Sequence, residues 1–99
     1  MIEKKPSTKG NTVRVKFELP GDVAENSVAV VGDFNDWDEN VHEMKYVKSR
    51  NVWSTTITLP ANNSYQFRYL VDGEEWQNEE QADGVAGNPY FSENSVIEL

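Results

Sequence analysis

Trp53-Ser54-Thr55-Thr56-Ile57-Thr58-Leu59-Pro60-Ala61-Asn62-Asn63-Ser64-Tyr65-Gln66-Phe67-Arg68-Tyr69-Leu70-Val71-Asp72-Gly73 holds two alternating runs, each closed by a break. In the first, Trp53, Thr55, Ile57 and Leu59 alternate with Ser54, Thr56 and Thr58. In the second, Tyr65, Phe67, Tyr69 and Val71 alternate with Gln66, Arg68 and Leu70. A period of two in β-branched and aromatic residues predicts two strands, each with one buried face. Pro60 to Asn63 ends the first run. Asp72-Gly73 is a tight-turn dipeptide that leads into a short strand at Glu75–Gln77.

The same pattern extends in both directions. Val13, Val15, Phe17 and Leu19 alternate with Arg14, Lys16 and Glu18 up to the turn at Pro20-Gly21-Asp22. Ser27 to Gly32 is nearly all apolar, which predicts a strand in the middle of a sheet. A strand near 43–48 is expected to place Met44 and Tyr46 on one face, and Ser95–Leu99 suits a final strand. Residues 33–42 and 78–92 read as polar loops. Residues 1–11 are polar and read as a flexible leader, leaving 12–99 as a single domain. No window carries helical periodicity with caps, and there is no internal repeat. About seven short antiparallel strands at this spacing predict an all-β, immunoglobulin-like β-sandwich.

Ninety-nine residues suffice for one domain. With no cysteine, disulfide frameworks and thiolate metal sites are excluded, and a reducing compartment is allowed. No stretch approaches a membrane span and the N-terminus has no apolar signal region, so a cytoplasmic protein is the default expectation. Seventeen acidic residues against nine basic ones give a net charge of −8, which disfavours nucleic acid and membrane surfaces as partners. An uncharged ligand is indifferent to that charge.

Catalytic chemistry is sparse. His42 is the only histidine; it sits in an acidic loop without a nucleophile elbow and reads as a solvated loop residue. Asp33, Asp36, Asp38 and Glu39 suggest calcium, but the EF-hand register from Asp36 puts Val41 where glycine is needed and Val47 where the bidentate glutamate is needed. No metal site or cofactor is expected. Paired carboxylates for glycoside cleavage carry no information in so acidic a chain, and no glycine pattern cradles phosphate.

The tryptophans are more telling. Trp53 is in phase with Ile57 and Leu59 and belongs in the core. Trp37, among carboxylates and an amide, is either folded back as a plug or presented as a platform, with Phe34 free to plug in its place. Trp76, amid Glu74, Glu75, Gln77 and Asn78, poses the same choice. A pyranose packs its C–H face on an indole while its hydroxyls seek amides or a long cationic donor. Arg68 points away from the core and Asn94 precedes the last strand; each is a candidate donor, although on its own Arg68 reads first as a solvated strand residue.

From about Val28 to Leu99 the chain resembles carbohydrate-binding module family 48, which includes the glycogen-binding domain of the AMP-activated protein kinase β subunit and the N-terminal domains of isoamylases and glycogen-branching enzymes. The resemblance is carried by Val28 to Trp37, by Trp53 to Pro60, by Tyr65 to Gly73 with Trp76, and by Asn88-Pro89-Tyr90 with Asn94 to Ile97. It implies an early-set immunoglobulin-like fold and stacking of sugar on Trp37 and Trp76. Arg68 stands where the kinase-type domains place a lysine that hydrogen-bonds the sugar. Asn94 and Ser92 match polar contacts of the last strand, and Tyr90, or Phe91, is the nearest counterpart of a leucine that reaches into the glucan. The approach from Asp72-Gly73 to Trp76 is one residue longer than in the kinase-type domains.

The expectation is non-catalytic binding of an α-1,4-glucan of the glycogen or starch type. The alternative is a structural module of the same fold that docks a glucan-active enzyme or kinase and ignores sugar.

Overall fold

The structure, a computed structural model, describes residues 1–88 and 92–99. Among these the chain forms nine strands: β1 (Ile2–Pro6), β2 (Thr12–Pro20), β3 (Val28–Gly32), β4 (Lys45–Val47), β5 (Val52–Pro60), β6 (Ser64–Val71), β7 (Glu75–Gln77), β8 (Gly84–Gly87) and β9 (Glu93–Glu98). They pair antiparallel in two sheets, in the order β1-β2-β5-β4 and β3-β6-β9-β8, with β7 joined to β6. The all-β sandwich expected from the alternation is therefore present.

The alternation sets the core. Val13, Val15 and Phe17 of β2, with Trp53, Ile57 and Leu59 of β5, face Val28 and Val30 of β3, Phe67 and Tyr69 of β6, and Ile97 of β9. Phe17 and Phe67 meet edge to face at 5.3 Å and Phe67 and Tyr69 at 5.8 Å. Each such pair adds about 0.5–1.5 kcal/mol beyond its buried area. Trp53 is 9% exposed, as its phase with Ile57 and Leu59 requires, and its indole N–H donates to Gly21 O at 3.2 Å.

β6 carries the second sheet. Along one edge it pairs with β3; along the other it pairs with β9 over Ser64–Phe67 and with β7 over Tyr69–Val71. Two strands thus share one flank, and both present side chains beside Gln66, Arg68 and Leu70. The hairpin that returns β7 turns at Asp72 (φ 54°) and Gly73 (φ 71°), the two positive φ values that a tight hairpin turn demands. The Asp72 carboxylate also accepts from the backbone N–H groups of Asn26, Ser27 and Glu25, tying this turn to the one before β3.

Four expectations are corrected. First, β3 ends its sheet instead of lying inside it. Its apolar run is explained by burial on both faces: Val28 and Val30 enter the core, and Ala29 and Val31 pack with Leu70 on the outer face. Its free edge is covered by the chain at 42–44, where Val30 N–H donates to His42 O and Met44 N–H to Val28 O. Second, Met44 and Tyr46 part company. The chain crosses between the sheets there, so Met44 is buried while Tyr46, 46% exposed, lies on Trp53 at 5.4 Å. Third, residues 2–6, expected within a flexible leader, pair along β2 from Ile2↔Phe17 to Pro6↔Val13. An exposed edge strand need not be apolar, which is why this one reads as polar. Fourth, the loop expected at 78–92 contains β8.

Near the end of β7 a buried carboxylate closes the sandwich. Glu79 accepts from the Met1 ammonium at 2.7 Å, the Tyr69 hydroxyl at 2.8 Å and Gln81 N–H at 3.0 Å. Burial works to raise its pKa, yet these donors together hold it below the usual carboxylate value.

Candidate functional site

The outer face of the second sheet holds an open concavity of about 690 Å³, lined by Asp33, Trp37, Gln66, Arg68, Trp76, Gly87, Asn88 and Asn94. Four residues singled out in the sequence, Trp37, Trp76, Arg68 and Asn94, meet there although up to 57 positions separate them in the chain. Ser92 is half-buried and is not among the described lining residues; its backbone carbonyl accepts from Asn88 N–H at 2.9 Å. Tyr90 and Phe91 lie outside the described residues.

Trp37 is presented rather than folded back. The chain leaves β3 through a single 3-10 turn at Asp33–Asn35 and then passes Asp36 (φ 57°) and Trp37 (φ 58°), two consecutive left-handed residues. For residues with a Cβ that conformation costs about 1–2 kcal/mol apiece. It is held by Trp37 N–H to Gly32 O at 2.9 Å and Asp38 N–H to Asn35 O at 3.1 Å. Asn35 anchors the turn from beneath: its Oδ1 accepts from Gly32 N–H, and its Nδ2 donates to Val30 O and to His42 Nδ1, each bond 2.9–3.0 Å. Phe34 does the plugging, packing on Phe17 and Phe67.

Asp33 aims the indole. One carboxylate oxygen accepts from Trp37 Nε1 at 2.9 Å, and the other accepts from Gln66 N–H at 2.8 Å. The indole N–H is thereby consumed and the ring, 36% exposed, offers its face. Trp76 is 40% exposed on β7, in register with Leu70. The Arg68 guanidinium carbon lies 5.8 Å from the Trp76 ring centre, within cation–π range. Arg68 Nε is enclosed with no acceptor in reach among the described residues. A donor so placed costs stability unless a ligand oxygen completes it.

The groove floor is a row of amides. Asn88 Nδ2 donates to Asn94 Oδ1 at 3.2 Å and Asn94 Nδ2 donates to Gln66 Oε1 at 3.1 Å. Asn94 is 7% exposed, so its orientation is set by these bonds. Sequence reasoning missed Asp33, Gln66, Gly87 and Asn88 as lining residues. The period of two places Gln66 on the face of Arg68 and was signal enough for that one. Asp33 needs the fold, because its second partner is 33 residues away.

His42 is corrected too. It is half-buried against Phe34, with ring centres 5.9 Å apart, and accepts from Asn35 at Nδ1, so its proton sits on Nε2. Burial lowers its pKa. Among the described residues no cluster of His, Asp or Glu is disposed to hold a metal ion, and no helix is long and apolar enough to cross a membrane.

Flat rings, one cation and oriented amides on an open sheet face match the two-sided chemistry of a sugar ring, apolar on its C–H faces and polar at its rim. The class that fold and groove define is a β-sandwich carbohydrate-binding module. Comparison with known proteins agrees: residues 7–86 match the family described as carbohydrate-binding module 48, the isoamylase N-terminal domain, and the chain belongs to that family. It is 39% identical over 59 residues to a 1,4-alpha-glucan branching enzyme, GlgB, of Butyrivibrio fibrisolvens, a match covering 60% of this chain and 9% of that enzyme. It is 47% identical over 38 residues to a 1,4-alpha-glucan-branching enzyme of Debaryomyces hansenii, covering 38% of this chain and 5% of the enzyme. The matches span less than a tenth of the length of either relative.

Proposed function

We propose that the chain binds an α-1,4-glucan in the concavity of the second sheet and performs no chemistry on it. The observation that carries the reading is the convergence of Trp37 and Trp76 with Arg68 and Asn94 in one groove. The two indoles stack on glucose rings, Arg68 donates to hydroxyls, and Asn94 is a pre-oriented polar contact. Ser92 and Tyr90 are proposed as further sugar contacts.

The absence of catalysis is supported by the groove itself. Glycoside cleavage needs two carboxyl groups flanking the bond. Among the described lining residues only Asp33 carries one, and both its oxygens are engaged. The names of the two branching-enzyme relatives support an α-1,4-glucan as the ligand. We infer a cytoplasmic location, with which a chain free of cysteine is compatible.

Native gels containing glycogen, amylose or cellulose test the reading. Retardation in glycogen and amylose with free migration in cellulose is expected. Equal migration in all three gels contradicts it.

A further inference from the structure

The sandwich separates its charges by sheet. Eight of the nine lysines and arginines lie in the strands of the first sheet or the short turns joining them, against two carboxylates, Glu3 and Glu18. The remaining residues, 21–44 and 61–99, hold fifteen carboxylates against a single cation, Arg68, the one in the groove. A molecule of net charge −8 thus consists of a part at +6 and a part at −14.

On the outer face of the first sheet the cations are organised in rows. Lys5 pairs with Arg14, which pairs with Thr58, and Glu3 pairs with Lys16, which pairs with Thr56. Lys16 Nζ lies 3.2 Å and Arg50 2.8 Å from the Glu18 carboxylate, so that part of the face is internally balanced. Lys5 and Arg14 have no ion-pair partner among the described residues. Like charges placed directly across two strands destabilise a sheet, and among the described residues no carboxylate forms an ion pair with either. A hollow of about 290 Å³ opens between them, bordered by Lys16 and Thr56.

We propose that this face docks an acidic protein surface, on the side of the sandwich away from the groove. Its charge suits Asp and Glu side chains, and its threonine hydroxyls suit their carboxylate and backbone oxygens. A protein is favoured over nucleic acid or a bilayer because Glu3 and Glu18 interrupt the cations. A uniformly anionic partner meets them as repulsion, whereas a protein surface can match them. Because the two faces belong to different sheets, partner and polysaccharide are held together.

The test is amide NMR of the 99-residue chain titrated at low salt with poly-L-glutamate of about twenty residues, the span of one side of a protein interface. Shifts concentrated at Lys5, Arg14, Lys16, Thr56 and Thr58 are expected, and binding weakens as salt is raised. The double variant Lys5→Glu, Arg14→Glu is expected to lose at least about tenfold in affinity, and Lys5→Gln, which cannot disturb folding through reversed charge, a smaller part of it. Maltoheptaose is expected to leave this binding unchanged. Shifts on the second sheet, indifference to the variants, or competition with maltoheptaose overturns the proposal. So does tighter binding, at equal salt, of duplex DNA or of vesicles made from equal parts phosphatidylcholine and phosphatidylserine. If poly-L-glutamate binds as expected while no glucan does, only the glucan reading fails.

Discussion

At the scale of single residues, the groove depends on side chains that are aimed as well as present. Asp33 spends both carboxylate oxygens on Trp37 Nε1 and Gln66 N–H, and so couples the indole to β6. Asp33→Ala is expected to weaken glucan binding by at least about tenfold, or 1.4 kcal/mol, and to change the emission of Trp37. Asp33→Asn, which keeps one acceptor, recovers part of both. Calorimetric titration with maltoheptaose beside fluorescence spectra checks this; a Tm loss with affinity and emission unchanged makes Asp33 a purely structural residue. Arg68→Lys removes Nε, the enclosed donor without an acceptor, and is expected to weaken binding less than Arg68→Ala. Trp37, Trp76 and Arg68 stood out in the sequence as indoles among carboxylates and a cation opposite two core aromatics, whereas Asn94, expected just before the last strand, lies within β9. The role of Asp33 was hidden among three other loop acids, since only folding brings Gln66 to it.

At the scale of elements, the alternation of β2, β5 and β6 was readable because one face of each must be apolar to build the core. Period two does not report a strand's neighbours. Val28 to Gly32 is as apolar as a central strand, but its second face is buried by Leu70 and its edge by the chain at 42–44. β8, Gly84-Val85-Ala86-Gly87, has too few side chains to show a pattern, and β1 is a polar edge. The groove depends on the close approach of β3 to β6. A Cβ on Gly32 would meet Gln66 O and lie 2.7 Å from Phe67 Cβ. Since the backbone there is extended, the obstacle is packing rather than φ. Gly32→Ala is therefore expected to cost about 1–3 kcal/mol, seen as a lower urea midpoint, and to weaken glucan binding by shifting Asp33 and Gln66. A midpoint equal to the wild type contradicts the packing described.

At the scale of the whole molecule, stability follows the ionised groups. Glu18, held low by the Arg50 guanidinium against burial and with help from Lys16, has a depressed pKa. Asp72 is lowered by three backbone N–H donors, and Glu79 and Asp83 by partners that outweigh burial. A carboxylate with a depressed folded pKa stabilises fully above its unfolded value, here 3.8 for Asp and 4.5 for Glu. The unfolded chain binds the extra protons in acid, so this stability is lost as pH falls through the folded values. His42 acts with the same sign at higher pH: burial depresses it below 6.5, and stability declines as pH falls below that value. Thermal unfolding across pH is thus expected to show a plateau above about pH 6.5, a shallow decline beneath it and a steep one below about pH 4.5, with the shallow part absent in His42→Gln. A rise in Tm on acidification contradicts these assignments. The proposed glucan site has Trp37 and Trp76 as its two platforms, and titration of tryptophan fluorescence with glycogen reports on both. Saturable quenching or shift in the wild type is predicted, weakened at least about tenfold in Trp37→Ala and in Trp76→Ala with Tm little changed; binding that survives both substitutions contradicts it.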